Sequence, residues 1–296
     1  MPVGICAFPY PVSEPEQDDD FATFEAVAPA PAPEAAGAER ADPPYVLVPS
    51  FNSSSGALEL ETSKIPNAGG PGAPHGGANG YQALVTNGAA HFKVWPPYGG
   101  VAGTGCDKRV RPSVTASHHG CLWATNGGPF DMDTGKCENG MFVSDGKIMG
   151  TGGWPAGFGV TANGSWIIGS VNPKVIQQLG IKNFLTGFSW LVRDGQNVAG
   201  AGNFTAPRTT IGTDGQGRLL SLEVDGCEGC QWGLTEHDTA TLLIKQGAKN
   251  AINLDGGGSS TVYYNGTVIN RPTDTDKWPF RLERAVSYIP CIAKDA

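Results

Sequence analysis

From Gly80 onward, short apolar runs alternate with tight polar pairs. Asp145-Gly146, Asn163-Gly164, Asp194-Gly195, Asp214-Gly215 and Asn265-Gly266 each separate two apolar segments. Asn-Gly and Asp-Gly favour the type I′ turn, whose twist suits a hairpin, so each pair predicts two antiparallel strands. Phe158–Thr161 with Trp166–Gly169, and Val262–Tyr264 with Thr267–Ile269, are examples. Helical periodicity is confined to three places. Asn172-Pro173 reads as N-cap and first helical residue; Val175, Ile176 and Leu179 form the apolar face, and Gly180 ends it. Thr235 opens a capping-box-like pattern with Asp238, Ala240, Leu243 and Ile244 face inward, and Gly247 closes it. A third helix starts near Pro112 and stops at Gly120. The pattern predicts an α+β fold: a single domain dominated by antiparallel strands and hairpins, with about three helices and no internal repeat.

The chain has 296 residues, 40% of them apolar and 16% charged, enough for one large core. Residues 1–44 carry nine acids and one base, which accounts for the whole net charge of −8. Residues 45–296 are therefore neutral, and without a basic excess nucleic acid is not expected as a partner. The PAPAPEAAGAER run and Asp18–Asp20 mark 1–44 as a disordered acidic Pro/Ala-rich leader. Its start, MPVGICAFPYPV, lacks a basic region and is broken by prolines, unlike a signal peptide. Residues 45–80 read as N-terminal strand sequence followed by a Gly/Pro-rich linker, and 81–296 as the main domain. No apolar run is long enough to span a membrane.

One stretch concentrates candidate chemistry: Asn250–Asp274, NAINLDGGGSSTVYYNGTVINRPTD. Ala251, Ile252 and Leu254 read as a buried strand, Asp255 stands at its end, and Gly256, Gly257 and Gly258 precede Ser259. Glycines allow positive φ and close backbone approach, and successive N–H groups can cup an anion. A carboxylate beside such a turn suits a charged or polyhydroxy ligand; a tight turn capped by Asp255 is the competing reading.

Together with ATNGGPF (124–130), FVSDGKI (142–148), SWLVRDG (189–195), PRTTIGTD (207–214), VDG (224–226) and ERAV (283–286), this stretch resembles the phosphodiester glycosidase family, block by block and in order. The likeness runs from about Gly80 to Ile292. It implies hydrolysis of the sugar C1–O bond of a GlcNAc-1-phosphodiester, or a related sugar-phosphodiester, releasing free sugar and a phosphomonoester. The implied partner is that substrate, free or on a glycoprotein glycan; oligomeric state is left open. Such a leaving group departs easily, so the site needs mainly a carboxylate for the oxocarbenium-like carbon or for water, and cations or N–H donors for phosphate. Asp255, Asp225 and Asp274 match family blocks as catalytic candidates; Glu283 ranks last. Arg208 and Arg284 match family arginines suited to bidentate phosphate binding, with a structural ion pair as the alternative. Asn126, Gly127 and Gly128 read as a second ligand loop or a bulge, and Gly257, Gly258 and Ser259 as phosphate-binding. A P–O-cleaving phosphodiesterase and a carbohydrate-binding module without turnover remain the competing functions.

Seven cysteines are many for a reducing compartment. The family resemblance implies Cys106–Cys137 and Cys121–Cys291 disulfides; Cys227-Glu-Gly-Cys230 suits a local bridge, and Cys6 is left over. Four sequons, at Asn52, Asn163, Asn203 and Asn265, agree with a secretory route. No metal and no cofactor are expected. Cys227 and Cys230 have no second pair to complete a zinc site, and the Asp131-Asp133-Gly135 imitation of a calcium loop has Phe142 where a glutamate belongs.

Overall fold

The computed structural model describes residues 44–68, 78–97, 108–134, 136–137, 140–150, 152–273 and 282–295. All of them belong to one compact unit, Asp42–Ala296. The expected leader, Cys6, Cys106, Asp274 and most of the Gly/Pro-rich linker lie outside the described residues.

The predicted hairpins build three antiparallel sheets. Six strands run edge to edge as Tyr45–Val48, Trp166–Gly169, Ala156–Val160, Asn183–Gly187, Phe142–Ser144 and Lys147–Met149. Seven run as Gln196–Asn197, Ser189–Arg193, Ala248–Asn253, Arg208–Asp214, Leu219–Val224, Gly80–Thr86 and Glu59–Ile65. Five run as Thr267–Val268, Val262–Tyr264, Cys121–Thr125, Ile289–Ala293 and Phe92–Trp95. Residues 45–65 thus supply an edge strand to each of two sheets.

All five Gly-containing pairs join antiparallel strands, but only three are I′ turns. Asp145, Asp194 and Asn265 have φ of 45°, 49° and 43°, each followed by a positive-φ glycine. Asn163 instead caps a five-residue loop, its Oδ1 accepting the Ser165 amide at 3.1 Å. Asp214 closes a four-residue loop, its Oδ1 accepting the Gln216 and Arg218 amides, each at 2.9 Å. In both, the side chain does what backbone twist does in the other three.

Alternation within strands separates two packing faces. Ala83, Val85 and Leu219 join a core between the sheets with Phe92, Phe158 and Trp166, while Leu84, Leu220 and Leu222 point the other way. Each outward face is covered by one predicted helix. Glu236–Lys245 lays Ala240 and Leu243 on Leu191, Leu220 and Leu222. Pro173–Gln178 packs Ile176 against Val143, Ile167 and Phe184. Pro112–His118 packs Ala116 against Cys121, Ala124 and Tyr263. Full burial of each large side chain contributes about 1.5–3 kcal/mol. The caps are as read: Asn172 Oδ1 accepts the Val175 amide at 3.0 Å, and Thr235 Oγ1 accepts the Asp238 amide at 3.0 Å. A fourth, four-residue helix at Gly88–His91 was not predicted.

Register gathers strand ends at one edge. Arg208 stands opposite Val224, Thr210 and Ser189 both stand opposite Asn253, and Thr125 stands opposite Val262. The residues that follow Val224 and Asn253 therefore leave their sheet on the same side as Arg208.

Candidate active site

Two turns are locked together at that edge. The Asp255 amide donates to the Gly127 carbonyl at 3.1 Å, and Asn126 Nδ2 returns a bond to the Asp255 carbonyl at 2.6 Å. Asn126 is fully buried, and its Oδ1 accepts the Thr209 hydroxyl at 2.9 Å and the Thr261 amide at 3.1 Å. Its side chain thus ties the Asp255 turn to Thr209 and Thr261. Gly128 is glycine for close approach: a Cβ there would lie 1.8 Å from the Thr186 carbonyl oxygen. Beneath it Tyr288 is buried, donating to the Pro129 carbonyl at 3.1 Å, and burial drives its phenol well above the ordinary range.

Asp255 keeps partial exposure beside the 3₁₀ turn Gly257–Ser259. Burial is the main reason its carboxyl rises to about 6; the Ser259 hydroxyl, the Arg284 charge and the Gly256 amide pull it down, while Glu228 pushes it further up. Arg284 Nη1 lies 3.4 Å from Ser259 Oγ, so that hydroxyl stands between cation and carboxylate. The Gly257 amide is already donated to the Pro207 carbonyl at 3.0 Å, and the Ser259 amide to Gly256 at 3.1 Å.

Sequence reasoning missed Glu228. It rides in the Cys227–Cys230 disulfide turn, next to Gly257, whose φ is +55°. A Cβ on Gly257 would lie 1.9 Å from Glu228 Oε2. The C-x-x-C spacing directed attention to the sulfurs; the signal was the acid between them, two residues after a strand-end Asp-Gly.

Arg208 is buried and splits its fork: Nε donates to the Leu234 carbonyl at 2.9 Å and Nη2 to the Phe204 carbonyl at 2.8 Å. Nη1 lies 3.9 Å from Glu236 Oε1, and the charges of Glu236 and Glu228 oppose the lowering that burial imposes on the guanidinium. Glu236 also accepts from Ser189 Oγ at 2.9 Å and Asn253 Nδ2 at 3.3 Å. Arg208 and Glu236, with Gly200, Gly202 and Phe204, line a cavity of about 300 Å3.

Asp225 holds the loop that follows the glycine turn. Its Oδ1 accepts the Arg271 amide at 2.7 Å, and it stands beside Glu223, which accepts from Asn270 Nδ2 at 2.8 Å. Burial, then the Asp225 charge, holds Glu223 well above the usual carboxylate range. Glu283 accepts both the amide and the hydroxyl of Ser113, at 2.9 and 2.7 Å, as a helix N-terminal anchor.

A family model described as phosphodiester glycosidase matches residues 119–292. The chain belongs to the phosphodiester glycosidase family. It is 33% identical over 227 residues to the N-acetylglucosamine-1-phosphodiester α-N-acetylglucosaminidase of Bos taurus, covering 68% of this chain and 42% of that protein. It is 33% identical over 238 residues to the Mus musculus protein of the same name, covering 72% and 45%. The chain thus spans less than half the length of these curated relatives. A solved zebrafish structure of that enzyme's catalytic domain, auto-inhibited by its pro-peptide, aligns with TM-score 0.70 and 30% identity, over 84% of this chain and 88% of that one.

In this chain, Cys121–Cys291 ties the C-terminal strand to the strand leading into Asn126. Cys137 is disulfide-bonded, and its expected partner Cys106 lies outside the described residues. The sequon asparagines Asn52, Asn163, Asn203 and Asn265 are all exposed. Asp131 Oδ1 accepts the Asp133 and Thr134 amides at 2.9 and 2.7 Å, a local turn. Among the described residues no three His, Cys, Asp or Glu side chains cluster to hold a metal, and no helix is long and apolar enough to cross a membrane.

Proposed function

We propose that this chain hydrolyses a GlcNAc-1-phosphodiester at the sugar C1–O bond, releasing GlcNAc and a phosphomonoester without a metal. The relatives' names support the substrate class. The observation that carries the mechanism is Asp255: a carboxyl raised to about 6, locked by Asn126 and separated from Arg284 by one hydroxyl. A base whose pKa lies near working pH accepts a proton most effectively.

Asp255 takes a proton from water as the water oxygen bonds to C1. The C1–O bond to phosphate breaks, and its electron pair leaves on the phosphate oxygen. Arg284 and Ser259 receive the phosphate, Arg284 as a planar cation able to bind two oxygens. Asn126, Gly127 and Gly128 position Asp255. Arg208 shapes the adjoining cavity, because its Nε and Nη2 serve backbone carbonyls, and that cavity takes the sugar ring. Gly258 completes the turn beside Ser259. Asp225 braces the neighbouring loop. Disulfides and exposed sequons support a secretory or extracytoplasmic setting, with glycans at the four asparagines.

The test is hydrolysis of GlcNAc-α-1-phosphate-6-mannose followed by mass detection. Free GlcNAc with mannose 6-phosphate supports this reading. GlcNAc 1-phosphate with mannose would instead make the protein a phosphodiesterase, and binding without turnover a carbohydrate-binding module.

A further inference from the structure

The glycine turn is not an empty anion cup. The space that a side chain on Gly257 would fill holds the carboxylate of Glu228, and the Gly257 amide serves Pro207. Two acids, Asp255 and Glu228, therefore converge on this corner, close enough for the charge of one to act on the other. A negative corner repels a phosphate and attracts a carbon that is becoming positive. Two cations are near the pair: Arg284 reaches Ser259 beside Asp255, and the Arg208 charge interacts with that of Glu228. Glu228 reaches this place on a loop only four residues long, closed by a disulfide whose Cys227 is buried and whose Cys230 is exposed.

We propose that Glu228 is a second catalytic carboxylate, held against the Asp255 turn by the Cys227–Cys230 disulfide, and that it faces the anomeric carbon as a standing negative charge. This rests on the hydrolytic reading above. Asp255 takes the proton of the attacking water; Glu228 neither gains nor loses one, but stabilises the positive charge that grows at C1 as the C1–O bond breaks. Arg208, itself beside Glu236, is a cation whose charge reaches Glu228. Arg284 and Tyr288 are the other ionisable groups facing Asp255.

The experiment compares wild type, Glu228→Gln, the Cys227→Ala/Cys230→Ala double variant and their combination. Glu228→Gln should lower kcat by about 10²-fold or more, as for loss of a transition-state electrostatic contact. The low-pH limb of kcat/KM should move below its wild-type position near 6, since Asp255 loses a like-charged neighbour. The cysteine variant, which keeps Glu228 but frees its loop, should move both readouts the same way. The combination should be no worse than Glu228→Gln alone, because one interaction cannot be lost twice. Unchanged kcat and an unmoved limb in Glu228→Gln would overturn the proposal, as would losses that multiply in the combination. If the cysteine variant does not fold, Glu228→Gln on the intact disulfide decides. A 13C titration of the Asp255 carboxyl, wild type against Glu228→Gln, reads the pairing without any substrate. A titration that does not shift overturns the proposal even in an active enzyme. A shift in a protein inactive on the mannose substrate would instead count against the proposed substrate alone.

Discussion

Asp255 and Glu228 meet beside a glycine turn with two arginines near them, whereas Glu223, on the strand Leu219–Val224, and Asp225, just past its end, are sealed under Asn270 and Arg271. Both pairs sit at the same end of the same sheet, and both contain a carboxyl raised chiefly by burial. They differ in what their oxygens touch. In the sealed pair, Asn270 joins Glu223 to the Ser260 carbonyl at 3.1 Å and to the Val262 amide at 2.8 Å, so the acids fix the loop behind the site. In the open pair Asp255 keeps partial exposure, and its hydroxyl neighbour is shared with a cation. A raised carboxyl alone thus does not mark a catalytic group; access does.

The sharpest break in this comparison is Asp255→Asn, which keeps shape and removes charge. It should cut kcat by about 10²-fold or more, while Asp225→Asn should leave kcat per folded molecule within about threefold of wild type. A comparable kcat loss in both would erase the distinction.

Stability should divide the other way. Asp225→Ala leaves the part-buried Arg271 amide without its acceptor and should cost about 1–3 kcal/mol in denaturant unfolding. Asp255→Asn should stabilise at neutral pH. A carboxyl whose folded pKa lies above its unfolded value favours the fold fully below the unfolded value of 3.8, and that contribution fades as pH climbs through about 6. The asparagine variant should therefore melt above wild type at pH 7 and level with it near pH 3.5, a cost accepted for a working site. A lower Tm at pH 7 would mean the charge is supported rather than strained.

The framework around both pairs should matter less to chemistry than to folding. Replacing Cys121 and Cys291 by alanine should cost about 2–5 kcal/mol while kcat of the folded fraction persists. A kcat loss larger than the unfolded fraction would place the Asn126 strand in the catalytic step.

Much of this was legible in the chain. The Asp145, Asp194 and Asn265 turns, the Asn172 and Thr235 caps and the Cys121–Cys291 link follow from local chemistry or the ordered family blocks. The loops after Asn163 and Asp214 were misjudged because the same dipeptides also close longer turns through their side chains. Asn126 matched a ligand loop by residue type, yet its amide points inward, and no sequence shows which way an amide faces. Glu228 was overlooked for a similar reason: its place after a strand-end Asp-Gly was a signal, but only the fold brings residue 228 beside residue 257. Arg208 carried the right chemistry for phosphate, but the carbonyls of Phe204 and Leu234 take its Nε and Nη2.

The smallest expected change is with chelation: exhaustive EDTA should leave turnover unaltered, and a loss reversed by a divalent ion would demand a ligand set that the carboxylate account lacks.

The most direct measurement is the pH dependence of kcat/KM for GlcNAc-1-phosphodiester hydrolysis in wild type, Asp255→Asn and Asp225→Asn. The account predicts a low-pH limb near 6 in wild type, the same limb in Asp225→Asn, and residual activity with no such limb in Asp255→Asn. A limb that survives Asp255→Asn and disappears in Asp225→Asn would contradict it, and would move the chemistry to the sealed pair.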